Sequence, residues 1–189
     1  LLARWEREHD EKATTRIQLY LDYSHRPEHY IEETRHTFDV DMQHRFEPAR
    51  RHETILGIGA RVTADDLVST PSARATPAER TIHLFSAFAQ NDFAVVEDRL
   101  RLILGSKFTI NEFDGLAVQP NARIMWHPGR RQALWGAASR ALRNPSRGEE
   151  DVAVTGSFFE QIPGLPVGVT VLNEIRGSRK MESETLNAF

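Results

Sequence analysis

Near residue 105 the periodicity of this sequence changes, and that change constrains the fold more than any single motif does. Before it, apolar residues recur at spacings of three and four; after it, short β-branched and aromatic runs are punctuated by Gly and Pro. Trp5, His9, Ala13, Ile17, Tyr20 and Leu21 fit an amphipathic helix, although Ile17, Leu19, Leu21 and Tyr23 also alternate. Thr76-Pro77-Ala78-Glu79 offers a hydroxyl at the N-cap, proline at the first helical position and glutamate three residues after the cap. That arrangement predicts a helix over residues 77–89. Asn91 is placed to cap a second, with Phe93, Val96, Leu100, Ile103 and Leu104 on one face and Gly105 as its stop.

In the second half, residues 108–110 and 116–118 are strand-sized, with Asp114-Gly115 as the turn between them. Residues 123–126 read as a strand that ends before Pro128-Gly129, and residues 131–142 as a helix with Leu134, Trp135, Ala138 and Leu142 inward. Residues 144–150 read as an exposed loop, then 152–155 and 167–172 as strands. Residues 68–76, rich in Ser, Thr, Ala and Pro, are the best linker candidate. The expected class is therefore α+β, with a mainly helical lobe over residues 1–105 and a β-rich core over 106–189 in one compact unit.

Composition narrows the chemistry. At 189 residues and 40% hydrophobic, the chain is long enough for one sizeable core or a core plus a smaller lobe. The absence of cysteine excludes disulfides, thiolate nucleophiles and cysteine-ligated metal. A net charge of -3 gives no general reason to expect a nucleic-acid partner. No apolar run approaches the ~20 residues that a helical membrane span needs. The first residue is Leu1 rather than methionine, which suggests a trimmed chain.

Three short motifs follow one another in the last third: Met125-Trp126-His127, Thr155-Gly156-Ser157-Phe158, and Glu182-Ser183-Glu184. In that order they resemble the mono-ADP-ribosyltransferases, whose pattern is an arginine behind an aromatic, then Ser-Thr-Ser, then Glu-x-Glu. His127 stands where that family carries its arginine. The resemblance implies a core of two small sheets packed across one another, with NAD bound in the cleft between them as substrate. It implies that Glu184 favours the oxocarbenium ion formed as nicotinamide leaves, and that Glu182 orients the acceptor guanidinium. Thr155 or Ser157 then holds Glu184, an aromatic such as Phe158 or Phe159 stacks on nicotinamide, and His127 contacts the NAD ribose. The implied function is NAD-dependent transfer of ADP-ribose to an arginine of a host protein by a bacterial type III secreted effector, acting inside the host cell.

Taken singly, the same residues have plainer readings. Glu182 and Glu184 also read as solvated acids on a C-terminal loop, Thr155-Gly156-Ser157 as a strand-ending turn, and Trp126 and Trp135 as core aromatics. A transferase-fold module that has lost NAD chemistry, and grips arginine-containing peptides with its acidic cleft, is the non-enzymatic alternative. A metal-dependent enzyme is the third reading: His29, Glu33 and His36 share a face at i, i+4 and i+7 if that segment is helical. Glu33-Thr34-Arg35-His36 is not a zinc-peptidase motif, and a charged solvated face explains it more simply, so no metal is assigned.

Overall fold

In an antiparallel sheet each strand satisfies its backbone through its two neighbours and sends successive side chains to opposite faces. This chain applies that rule almost throughout. The computed structural model describes residues 1–112, 115–129, 131–160 and 169–189, without the side chains of 158–160 and 169. Its strands are β1 (Leu2–Asp10), β2 (Ala13–Pro27), β3 (Ile31–Ala49), β4 (His52–Ser69), β5 (Ala73–Ala75), β6 (Glu79–Val96), β7 (Leu100–Asn111), β8 (Gly115–Gly129), β9 (Gln132–Arg143), β10 (Val152–Glu160), β11 (Val169–Arg176) and β12 (Glu184–Ala188). One helix, α1 (Arg147–Asp151), precedes β10.

Nine strands form one sheet in the order β1-β2-β3-β4-β6-β7-β8-β9-β12, each antiparallel to its neighbours. A second sheet, β11-β10-β5, is built from excursions at one end of the first. At the other end the connections are tight: Asp10 pairs with Ala13, Ala49 with His52, and Gly129 with Gln132. Left-handed backbone at Arg51 lets one of these connections turn, and at Asp98 it does the same for the β6–β7 connection at this end. The irregularities in register, at Glu8/Asp10, Phe46/Ala49, Ala94/Val96 and Trp126/Gly129, all lie at this short-turn end.

The helical N-terminal lobe is absent, which corrects the α+β expectation. Residues 77–89 and 91–104 run through β6 and β7, residues 131–142 lie largely in β9, and Gly105 sits mid-strand opposite Gln90 and Asn121 rather than stopping a helix. A Cβ at Gly105 would stand 3.1 Å from the Ala89 carbonyl oxygen, so glycine is there for close approach of strands. The alternation of Ile17, Leu19, Leu21 and Tyr23 is the period that the fold follows. The helix that does form, α1, occupies part of the stretch that reads as an exposed loop. Ser146 caps it and accepts from Glu149 N, while the Glu149 side chain accepts from Ser146 N. Of the expected turn, Asp114 lies outside the described residues and Gly115 has φ +70, which glycine adopts without strain.

The expected sizeable core is missing too. Buried hydrophobic residues among those described are Leu67, Ala73, Ala75 and Ala117. The surface is 13618 Å², about half again the roughly 9,200 Å² expected of a folded monomer of 21.6 kDa. Trp126 and Trp135, expected in a core, are 48% and 77% exposed.

The exposed apolar residues are sorted by face. One register row crosses seven strands as Trp5, Ile17, Met42, Ile58, Ala87, Phe108 and Val118. The next row on the same face reads Ala3, Leu19, Val40, Ala60, Phe85, Ile110 and Leu116. The opposite face carries rows such as Arg4, Gln18, Asp41, Gly59, Ser86, Thr109 and Ala117. If the apolar face is covered by hydrocarbon, Ile58→Arg should cost about 2–4 kcal/mol of folding stability in bilayers. Gln119→Arg, on the polar face, should stay within about 0.5 kcal/mol. Denaturant titration of the folded protein in lipid vesicles measures both.

Candidate functional site

Two features are built well enough to act: the apolar face and the small sheet docked at the far end. The apolar face has Ile58, Phe85 and Ile110 each more than half exposed, so it needs a cover. The polar face is tied across strands by ion pairs, Arg16 to Glu6 at 3.0 Å, Arg61 to Asp39 at 2.7 Å, Arg45 to Glu53 at 2.8 Å and Arg101 to Asp92 at 2.6 Å. It is not uniformly polar. The Phe88 ring lies over Gly57, where a Cβ would stand 2.1 Å from it, so glycine makes the space that the ring fills.

The small sheet and α1 form a cap on the end of the large sheet. β5 pairs with β10, Thr76 N donates to Asp151 O at 2.9 Å, and Thr155 N donates to Ser72 O at 2.8 Å. Under the cap lies an ion cluster. Buried Arg147 places Nε 2.6 Å from Asp65 Oδ1 on β4 and Nη1 2.9 Å from Asp151 Oδ2, and its Nη2 donates to the carbonyls of Pro77 and Ala78. Arg80 on β6 reaches Glu150 at 2.7 Å and Asp151 at 2.6 Å, and Arg179 reaches Asp151 at 2.8 Å. Burial raises the Asp151 carboxyl, but donation from Arg80 and Arg179 outweighs it and holds its pKa below the ordinary value. Hydrogen bonds from Arg143 and from Ser146 push Glu149 down to about 2.

Sequence reasoning assigned this cluster no role, and the apolar rows were visible only as the alternation in β2. The signal for the rows was available strand by strand, at 38/40/42, 56/58/60/62 and 122/124/126. Arg147 and Asp151 are a local i,i+4 pair, but nothing local marks Asp65 and Arg80 as their partners, because Asp65 and Arg147 are 82 residues apart (147 − 65) and the contact depends on the excursion folding back.

The residues expected to gather around NAD lie apart. His127, half-buried near the short-turn end of β8, donates its backbone N–H to Arg99 O at 2.7 Å and lines a cleft of about 930 Å³ with Arg51, Glu53, Asp92, Glu97 and Arg101. Glu184 opens β12 at the capped end, exposed and 3.4 Å from Arg143, and Glu182 is exposed in the segment before it. Along β9, Leu134 is level with Trp126 and Arg143 with Glu184, nine residues (143 − 134) or roughly 30 Å of strand apart. Thr155 and Ser157 are on β10 in the small sheet, opposite Glu174 and Leu172. Phe158 pairs with Val171, and its side chain lies outside the described residues. The structure thus brings Glu182 and Glu184 to one end and leaves His127 at the other.

The histidine-rich segment is likewise extended. Glu33 and His36 lie on opposite faces of β3, and His29 falls between β2 and β3. Among the described residues no group of three His, Cys, Asp or Glu side chains is placed to hold a metal. Arg45, Arg50 and Arg51 pair with Glu53 and Glu97.

No family model and no curated protein sequence matches the chain. Solved structures share its fold, among them two receptors. The siderophore receptor PirA from Pseudomonas aeruginosa superposes with TM-score 0.69 at 13% identity, over 97% of this chain and 34% of that one. The siderophore receptor PirA from Acinetobacter baumannii superposes with TM-score 0.59 at 11% identity, over 93% of this chain and 32% of that one. The chain spans about a third of the length of these neighbours. With this fold, the resemblance to mono-ADP-ribosyltransferases is overturned: a nine-stranded meander replaces two small crossed sheets with a cleft between them.

Removing one partner of a buried ion cluster strands the others without solvation. Arg147→Ala should therefore weaken cap docking by about 3–5 kcal/mol, read as faster amide hydrogen exchange at residues 150–155 with the large sheet unchanged. Arg147→Met combined with Asp65→Leu should recover most of that loss.

Proposed function

We propose that this chain forms part of the wall of a membrane-spanning β-barrel, and that the barrel is a siderophore receptor like the two proteins whose fold it shares. The observation that carries the reading is the pair of adjacent register rows, fourteen side chains on seven strands, in which no charged residue interrupts the apolar face. Hydrocarbon is the cover that suits it, because in lipid only a closed ladder of strands or a helix leaves no backbone group unpaired. Among the described residues no helix is long and apolar enough to cross a membrane, a statement that says nothing of strands.

Orientation follows from connection length. Barrels of the outer-membrane type have short turns on the inner side and longer loops outside. Here every connection at one end is two or three residues long, while the other end, with short links between Pro27 and Ile31 and between Asn111 and Gly115, also carries the β5 excursion and residues 144–183. On this reading the salt-linked cap stands on the outer rim, where a receptor meets its ligand, and the polar face lines the lumen.

The three tryptophans make the test. Trp5 and Trp126 are on the apolar face, Trp135 on the polar face. Single-tryptophan variants folded into vesicles of brominated phosphatidylcholine should show strong quenching of Trp5 and Trp126 and little of Trp135. Equal quenching of all three, or none, would sink the proposal.

A further inference from the structure

The polar residues bordering the apolar face on β1, β2 and β3 form one patch. In the register row next to Trp5, Ile17 and Met42, Arg7 lies opposite Thr15 and Thr15 opposite His44, with His9 beside them. Thr15 Oγ1 is 2.8 Å from His9 Nε2 and 2.9 Å from His44 Nδ1. One hydroxyl donates once and accepts from the other side, so it fixes both imidazoles. The two rings meet edge-on at 5.9 Å, and His44 also stacks on Phe46 at 5.3 Å.

What this leaves open is the Arg7 guanidinium and one imidazole N–H: the ring that accepts from Thr15 Oγ1 carries its proton on its other nitrogen, while the ring that donates to it keeps an acceptor there when neutral. The second nitrogen of each ring and the Arg7 guanidinium have no partner among the described residues. Of the acids nearest in sequence, Glu6 and Glu8 belong to the opposite face, Glu6 paired with Arg16, and Asp10 accepts from Lys12 N through Oδ1 in the turn. Of the same-face neighbours, Trp5, Ala13, Ile17, Met42 and Phe46 are uncharged, and Asp10, opposite Ala13 beyond the bulge, is the one acid in the adjoining row. A guanidinium with an imidazole donor beside it, placed where unbroken apolar rows begin, matches a ligand with an anionic head and an apolar tail.

We propose that Arg7, His9, Thr15 and His44 form a binding site for the phosphate of a phospholipid headgroup, at the membrane border nearest the short turns. This rests on the apolar face being the lipid-facing one. The protein in neutral detergent micelles is titrated with dihexanoyl phosphatidylglycerol while the imidazole NMR signals of His9 and His44 are followed, with His25 and His36, on the same face at the far end, as controls. Saturable shifts confined to His9 and His44 are expected, with affinity lowered about tenfold in Arg7→Gln and recovered in Arg7→Lys. No saturable shift, an equal shift at His36, or the same response to inorganic phosphate would overturn the site. Trp5 quenching by brominated lipid in the same preparation separates the two claims: quenching without a headgroup response rejects this site alone, whereas absent quenching rejects the lipid-facing reading beneath it.

Discussion

Backbone pairing along one uninterrupted antiparallel ladder is the constraint on which everything else here depends. In most domains of this size the sheet is one layer among others and its apolar side chains meet a second layer. Here the nine strands meet only their neighbours over most of their length, and the described residues bury four hydrophobic side chains. Stability must then come from the ladder, from cross-strand pairs on each face, and from whatever covers the apolar side. The excess of exposed surface follows from that architecture. Both outer strands, β1 and β12, also present an unpaired edge, which closed barrels remove by joining one edge to the other.

The ion cluster under the cap answers a different problem. A polar excursion at the end of a sheet has little apolar area with which to hold itself in place, so direction has to come from charge. Arg147 supplies it by joining Asp65 on β4, Asp151 on its own helix and two carbonyls before β6. Burying Arg147, Asp65, Glu150 and Asp151 with largely covered Arg80, while exposed Arg179 balances the sign from the surface, costs desolvation that close pairing offsets. The gain is one geometry rather than a sliding contact. That places β10 and β11 in a fixed position at the end of the large sheet.

Some of this was legible in the sequence. Residues 108–110, 116–118, 123–126 and 152–155 read as strands and are strands, because β-branched and aromatic residues crowd them between turn residues. The N-terminal half misleads because its strands carry apolar residues on both faces. In β6, Leu84 and Phe88 point to the polar side while Phe85, Ala87 and Ala89 point to the apolar side, and the composite imitates a helical spacing. Thr76-Pro77-Ala78-Glu79 imitates a capping box, yet its carbonyls are used by Arg147 and Leu67 N before β6 begins. The Glu-x-Glu and Thr-Gly-Ser motifs are short enough to arise on strands and rims of any acidic chain. Long-range pairing, the feature that defines this fold, leaves little local mark beyond period two. A search of the first hundred residues for repeated alternation bounded by turn residues would have found it.

The central claim is that one face of the large sheet meets lipid and the other meets water. Because the chain has no cysteine, single cysteines carrying spin labels can be placed one at a time from residue 36 to residue 46 of β3 without removing a native thiol. Accessibility to dissolved oxygen and to a water-soluble nickel reagent is then read in bilayers. The predicted result is a two-residue alternation, with oxygen maxima at Phe38, Val40 and Met42 and nickel maxima at Thr37, Asp39 and Asp41. A flat profile, or oxygen maxima at the odd positions, would contradict the account.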